Sequence, residues 1–206
     1  MTKRVDVIVV GGGPAGSICA ALLSRQGLRV TLITGPRPRR SWLELLSPEG
    51  VLLLRRLGFA SSGCADPSRP CPGIVETWNR EGPTSSDFEL TRCSPGWIVE
   101  RNGFDADLVD FARGLGVCVV ADNTPCRLVS GLAAHPVVVE SAGTAQRIAA
   151  GFVVDATGTA SRLMPNRYAR RVWFDRLVAV RLVSRAVLPN ADWMRSTSTD
   201  LSCLSQ

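Results

Sequence analysis

The chain has 206 residues, 45% hydrophobic and 20% charged, with 24 Lys and Arg against 18 Asp and Glu for a net charge of +6. This excludes wholesale disorder, and the length allows one large domain burying roughly 70% of its unfolded surface. No run approaches the ~20 apolar residues of a bilayer span, and of the short arginine groups (Arg37, Arg39, Arg40; Arg55, Arg56; Arg167, Arg170, Arg171) only the last has an aromatic, Tyr168, between its members, which is not the repeated basic–aromatic interleaving that stacks on single strands. Neither a membrane nor nucleic acid is therefore expected as a partner.

Residues 1–10, MTKRVDVIVV, place two basic residues before an apolar run, but the run stops at glycines after six residues with no cleavage pattern. It reads as a buried parallel strand over 5–10 rather than a signal peptide. Pro14 suits a helix's first turn, Ile18, Ala21, Leu22 and Arg25 follow at helical spacing, and Gly27 closes the helix. A second strand is predicted over 28–33, then a loop over 35–42. Ser47 is positioned as the N-cap of a helix ending at Gly58. Residues 61–86 are turn-rich; strands are predicted at 74–78 and 96–100, a helix at 104–115 and a strand at 117–121. Short runs at 127–129, 136–140 and 147–149 suggest an antiparallel meander. A separate short strand at 152–154 leads into DATG, and another is predicted at 177–183. From Ser196 no element is expected.

The seven cysteines (Cys19, Cys64, Cys71, Cys93, Cys118, Cys126, Cys203) are odd in number and form no C-x-x-C pair. Cys19 and Cys118 fall in apolar periodic segments as small core residues, which favours a reduced, cytoplasmic setting. His135, the sole histidine, precedes Pro136 in a turn-like stretch, and Trp78, Trp97 and Trp173 read as packing residues. No Ser/His/Asp set, carboxylate pair or metal cluster is present in the pattern, so no catalytic residue and no metal ligand is assigned.

The chemistry resides in VDVIVVGGGPAG. Gly11, Gly13 and Gly16 form G-x-G-x-x-G between a strand and a helix. There the first glycine permits the turn, the second the approach of a pyrophosphate, and the third close helix–sheet packing. Pro14, Ala15 and Gly16 open the helix, whose free N–H groups and dipole favour an anion. The carboxylate expected about twenty residues on, for the ribose hydroxyls, is replaced by Thr34. The arginines at 37, 39 and 40 would suit the 2′-phosphate of NADP, which leaves an NADP-linked reductase as an alternative.

Four segments in order resemble the N-terminal part of the FAD-dependent monooxygenase superfamily, which holds aromatic hydroxylases and tryptophan-halogenase-like flavoproteins. They are VDVIVVGGGPAG, WLELLSPEGVLLLRRLG, WIVERNGFDADLVDFARGLGV and VVDATGTASRL, and RVWFDRLVAVRLV continues the likeness. The resemblance implies an α/β, Rossmann-like FAD-binding domain over residues 1–168, followed by the start of a substrate domain over 169–206. It implies that Gly11, Gly13, Pro14, Ala15 and Gly16 hold the FAD pyrophosphate. Glu44 and Arg101 would lie beside the flavin nucleotide, and Asp155 and Gly158 would form the turn close to it. Leu43 and Leu45 stand where the family has glycine and serine. On the residues alone, Glu44 is equally a charge preceding a helix, Arg101 a strand-end arginine, and DATG a plain turn.

The activity implied is a monooxygenase acting on a small-molecule or peptide-borne aromatic or indole-like group, with NAD(P)H as a possible electron donor. The family's later G-D segment, its full substrate domain, and the W-x-W-x-I-P signature and lysine of halogenases are not identifiable. The chain is therefore expected to be a shortened member, with a non-catalytic nucleotide-binding remnant as the alternative.

Overall fold

A computed structural model describes residues 3–36, 43–59, 70–77, 82–88, 90, 94–121, 126–129, 137–141, 146–160, 163, 172 and 194–197. In chain order the first elements are β1 (Lys3–Val10), α1 (Pro14–Arg25), β2 (Val30–Thr34), β3 (Leu43–Leu46), α2 (Pro48–Arg56), β4 (Pro70–Cys71) and β5 (Gly73–Thr77). There follow β6 (Thr84–Asp87), β7 (Gly96–Glu100), α3 (Arg101–Gly114), β8 (Cys118–Ala121), β9 (Cys126–Leu128), β10 (Val137–Ser141), β11 (Gln146–Asp155), a 3-10 turn (Gly158–Ala160) and β12 (Met194–Thr197). The chain divides into two compact units, Met1–Ser41 with Phe104–Leu177, and Trp42–Gly103 with Val178–Gln206.

The first unit is built on a six-stranded sheet in the order β8-β2-β1-β11-β10-β9. The strands from β8 to β11 run parallel, and β10 and β9 close the sheet antiparallel. β1 is central, and its β-branched run is buried on both faces, as a parallel strand requires. Val7, Val9, Val30 and Leu32 pack with Ala20 and Ala21 of α1 and Val109 and Ala112 of α3. On the opposite face Ile8, Val10 and Ile33 join Val139, Ile148, Ala150 and Leu163. Fully buried side chains such as Ile8 and Leu32 each contribute about 1.5–3 kcal/mol. α1 presents Gly16, Ser17, Ala20 and Ala21 inward, small residues that let it lie close on the sheet. Gly27 ends it at φ +82°. Cys19 and Cys118 are partly rather than fully buried, although Cys19 packs against the core.

Asp6 ties the start of β2 to β1. Its carboxylate accepts from the Arg29 backbone N–H at 2.8 Å, from Nε at 3.1 Å and from Nη2 at 2.7 Å. These bonds to Arg29 hold the Asp6 carboxyl down at about 2, below its usual 3.8.

One expectation changes here. The runs at 147–149 and 152–154 are a single ten-residue strand, β11. Its first half pairs with β10 and most of its length with β1, so pairing from both sides overrides the weak strand propensity of Ala149-Ala150-Gly151.

The second unit carries two three-stranded sheets, β3-β7-β4 and β12-β5-β6. α2 begins as anticipated, with the Ser47 hydroxyl accepting from the Gly50 N–H at 3.2 Å, and it buries Val51 and Leu54. The Arg55 guanidinium lies over the Trp97 ring, 5.4 Å from its centroid. β3 is too short to show a period in sequence and is fixed by antiparallel pairing with β7. α3 starts at Arg101, three residues before the expected position. Glu100 accounts for this: its carboxylate accepts from the Gly103 N–H at 2.7 Å and the Asn102 N–H at 3.4 Å, capping the helix. The strand expected at 177–183 lies outside the described residues, while β12 occupies a stretch where only its last residues were considered and no element was expected.

Candidate functional site

In the first unit, β1 and β11 run side by side with Val10 opposite Asp155, and the Ala156 N–H donates to the Val10 carbonyl at 2.8 Å. That register brings the glycine turn and the DATG segment together. Gly11 sits at φ +117°, where L side chains rarely go, and its N–H donates to the Ile33 carbonyl at 2.8 Å. A Cβ at position 11 would fall 2.2 Å from the Ala156 carbonyl oxygen, and one at Gly16 would fall 1.9 Å from the Gly11 carbonyl oxygen and 3.1 Å from the Ala156 Cβ. Turn, helix start and second motif are thus packed backbone to backbone, and two of the three motif glycines are required by that packing.

Gly13 differs. It is the N-cap of α1 with φ −79° and ψ −177°, an extended conformation open to any residue, and no side chain caps the helix. The Ser17 N–H bonds back to the Gly13 carbonyl at 3.0 Å, so the N–H groups of Gly13, Ala15 and Gly16 precede the helical ladder. Pro14 stands at the first helical position, where its missing N–H removes nothing. A bare helix start on a glycine that the backbone does not demand fits a pyrophosphate. The helix dipole adds about 0.3–2 kcal/mol toward an anion.

Asp155 ends β11. Its Oδ1 accepts from the Thr157 hydroxyl at 2.6 Å and the Thr157 N–H at 3.1 Å, which folds the turn after the strand. Gly158 follows at φ +71° with open space where a Cβ would stand, so backbone conformation is what demands glycine there.

Glu44 and Arg101 belong to the second unit, on β3 and at the start of α3, and meet in an ion pair of 2.9 Å. Arg101 is 30% and Glu44 36% exposed, so the pair is only partly shielded from solvent. The nearby Trp97 is buried and packs, as expected. His135, Trp78, Trp173 and the arginines at 37, 39 and 40 lie outside the described residues. Among the described residues no group of three or more His, Cys, Asp or Glu could hold a metal ion, and no helix is long and apolar enough to cross a membrane.

Sequence reasoning missed three contributors. Gly12 is one: a Cβ there would lie 2.6 Å from the Thr34 Cγ2. The GGG run signalled it, but the hexad assigns that position no task. Ala156 and Thr157 are the others, within the DATG segment but overlooked beside Asp155 and Gly158. A groove of ≈ 540 Å³ lined by Arg4, Val7, Leu28 and Phe152 opens near the beginning of β1, away from the glycine turn, and is not part of this site.

A family profile described as an FAD binding domain matches residues 4–200. A flavin-dependent halogenase of Armillaria mellea is 29% identical over 190 residues, covering 85% of this chain and 36% of that protein. The tryptophan 2-halogenase of Chondromyces crocatus is 32% identical over 181 residues, covering 84% of this chain and 34% of that protein. Among solved structures, a myxobacterial chondrochloren halogenase, described as a variant of FAD-dependent halogenases, superposes with a TM-score of 0.66 at 27% identity, over 78% of this chain and 39% of that one. The chain spans about a third of the length of these curated relatives.

Proposed function

The chain belongs to the family of FAD-binding domains, and we propose on that premise that it serves an FAD-dependent monooxygenase acting on an aromatic or indole-like group. The fold is the Rossmann-like α/β domain of that family, and FAD is the cofactor the family binds. The observation that carries the reading is the packing of Gly11, Gly16 and Ala156 beside a helix start at Gly13 that no side chain caps, which leaves its first N–H groups for a pyrophosphate.

In this reading Gly11, Gly13, Pro14, Ala15 and Gly16 hold the pyrophosphate through backbone N–H groups. Asp155 and Gly158 shape the turn beside it, and Arg101, held by Glu44, contacts the flavin nucleotide. Residues 1–168 form the cofactor domain, and 169–206 begin the substrate domain. When bound, FAD would supply the redox chemistry, two-electron transfer from a donor proposed to be NAD(P)H to dioxygen. The protein's contribution is to orient the cofactor and keep water from the reacting face. A tryptophan-directed relative supports the aromatic class, free or peptide-borne. A reducing, cytoplasmic setting is part of the same proposal, supported by free thiols at Cys19, Cys71, Cys118 and Cys126.

Two measurements test this. Purified protein is expected to hold close to one FAD per chain, and Gly13→Val to lose it with the far-UV spectrum intact. Flavin retained by that variant contradicts the cofactor assignment. With reduced cofactor and isotopically labelled dioxygen, indoles, phenols and tryptophan peptides are then screened by mass spectrometry. Oxygen consumption without labelled product from any of them overturns the monooxygenase reading.

A further inference from the structure

We propose that Thr34 determines which adenylate ribose this site accepts, and that its neutral side chain admits a 2′-phosphorylated ribose as readily as the plain ribose of FAD. The inference rests on the nucleotide-site reading above. Thr34 is the last residue of β2, one position beyond Ile33, whose carbonyl accepts the Gly11 N–H at 2.8 Å. Its side chain borders the glycine turn: a Cβ at position 12 would lie 2.6 Å from Thr34 Cγ2 and 2.9 Å from its Cβ. The methyl group therefore faces Gly12. Partly exposed, the hydroxyl has no hydrogen-bond partner among the described residues.

In dinucleotide folds a carboxylate at this position accepts hydrogen bonds from the ribose diol and by its charge turns away a 2′-phosphate. A threonine hydroxyl brings one donor and no charge, so it neither grips the diol at two points nor repels the phosphate. Nothing nearby in sequence replaces the missing charge, since no Asp or Glu occurs between Arg29 and Leu43. Gly12 is the complementary half of the device. Without a Cβ it lets the turn settle on the branched side chain, which fixes the Thr34 rotamer beside the ligand.

The test uses the 206-residue protein and two ligands that differ only in the 2′-phosphate, 5′-AMP and adenosine 2′,5′-bisphosphate. Each displaces FAD in a fluorescence titration at fixed ionic strength. The wild-type protein is expected to bind the bisphosphate no more than about fivefold more weakly than AMP. Thr34→Asp is expected to weaken the bisphosphate by roughly tenfold or more relative to AMP, as like charges at contact demand. Wild-type discrimination beyond about fivefold against the bisphosphate overturns the proposal, and so does a Thr34→Asp variant with an unchanged ratio. The wild-type ratio needs no variant, so it decides even if Thr34→Asp fails to fold. Absence of FAD binding would instead remove the nucleotide-site reading and this inference with it, an outcome distinct from FAD binding with charge discrimination.

Discussion

Replacing Gly11 with alanine separates the glycine that holds the turn together from the one that serves a ligand. At φ +117° an L-residue carries backbone strain of about 1–3 kcal/mol. The new methyl carbon would lie 2.2 Å from the Ala156 carbonyl oxygen and 2.5 Å from its carbon, backbone atoms of a residue tied to β1 by its N–H bond to the Val10 carbonyl. Overpacking of that kind adds about 1–3 kcal/mol. The total, about 2–6 kcal/mol, is a large part of the 5–15 kcal/mol that stabilises an ordinary domain. At about 2–4 °C per kcal/mol for a chain of this size, Tm falls by roughly 4–24 °C. Gly13→Val meets no such strain, because φ −79° with ψ −177° is open to any residue. It is expected to melt within a few degrees of wild type while losing flavin. The assay pairs thermal melting by circular dichroism with FAD fluorescence on the same samples. A Gly11→Ala protein melting within about 2 °C of wild type would refute the packing argument.

Thr31 is fully buried in β2, and its hydroxyl has no hydrogen-bond partner among the described residues; Thr31→Val removes that unsatisfied group at nearly constant shape, so urea denaturation should show a gain of about 1 kcal/mol, and a loss would mean the hydroxyl has a partner. Asp6, held at about 2 by its bonds to Arg29 against an ordinary 3.8, stabilises the fold above pH 4 and loses that contribution as pH falls through 2. Asp6→Asn should therefore melt below wild type at pH 6, with the gap closing toward pH 2; a gap that widens on acidification contradicts the assignment. Arg101→Lys exchanges the guanidinium partner of Glu44 for a point charge. Because such part-exposed pairs are worth about 0–1 kcal/mol, Tm should stay nearly unchanged, while loss of the proposed guanidinium contact to the nucleotide should lower FAD affinity about tenfold, roughly 1.4 kcal/mol; the reverse pattern would make the pair purely structural.

The parts of the fold legible in sequence were those with strong local signals. The β-branched run of β1, the G-x-G-x-x-G turn, Ser47 with Pro48, and the helical spacing of α3 each announced an element without help from the rest of the chain. Illegible parts depended on a distant partner. β11 looked like two fragments because Ala149, Ala150 and Gly151 interrupt its branched residues, and only β1 and β10 together make it one strand. α3 was cut short in sequence because its expected start, Phe104, is the first apolar residue of the helical spacing, whereas the Glu100 carboxylate makes Asn102 and Gly103 part of the first turn. At the site, the hexad identified Gly11 and Gly16, but which of their neighbours they touch was visible only once Val10 stood opposite Asp155. The Glu44–Arg101 pair joins residues 57 positions apart. Both had been singled out, but their bond to each other had not.

β11 also acts as an alignment stop. Ile148 to Ala150 are clasped by β10 on one edge and β1 on the other, and across the β10 hairpin Arg147 Nε meets Glu140 Oε1 at 3.1 Å. Sliding the strand by a single position would swing Arg147 toward the interior and Ile148 out of it, a penalty the sheet cannot absorb. The tip where Asp155 bends is therefore located by a hairpin five residues and more upstream. Damage to that hairpin, far from any nucleotide, should blur the mouth of the binding turn before it unfolds the domain.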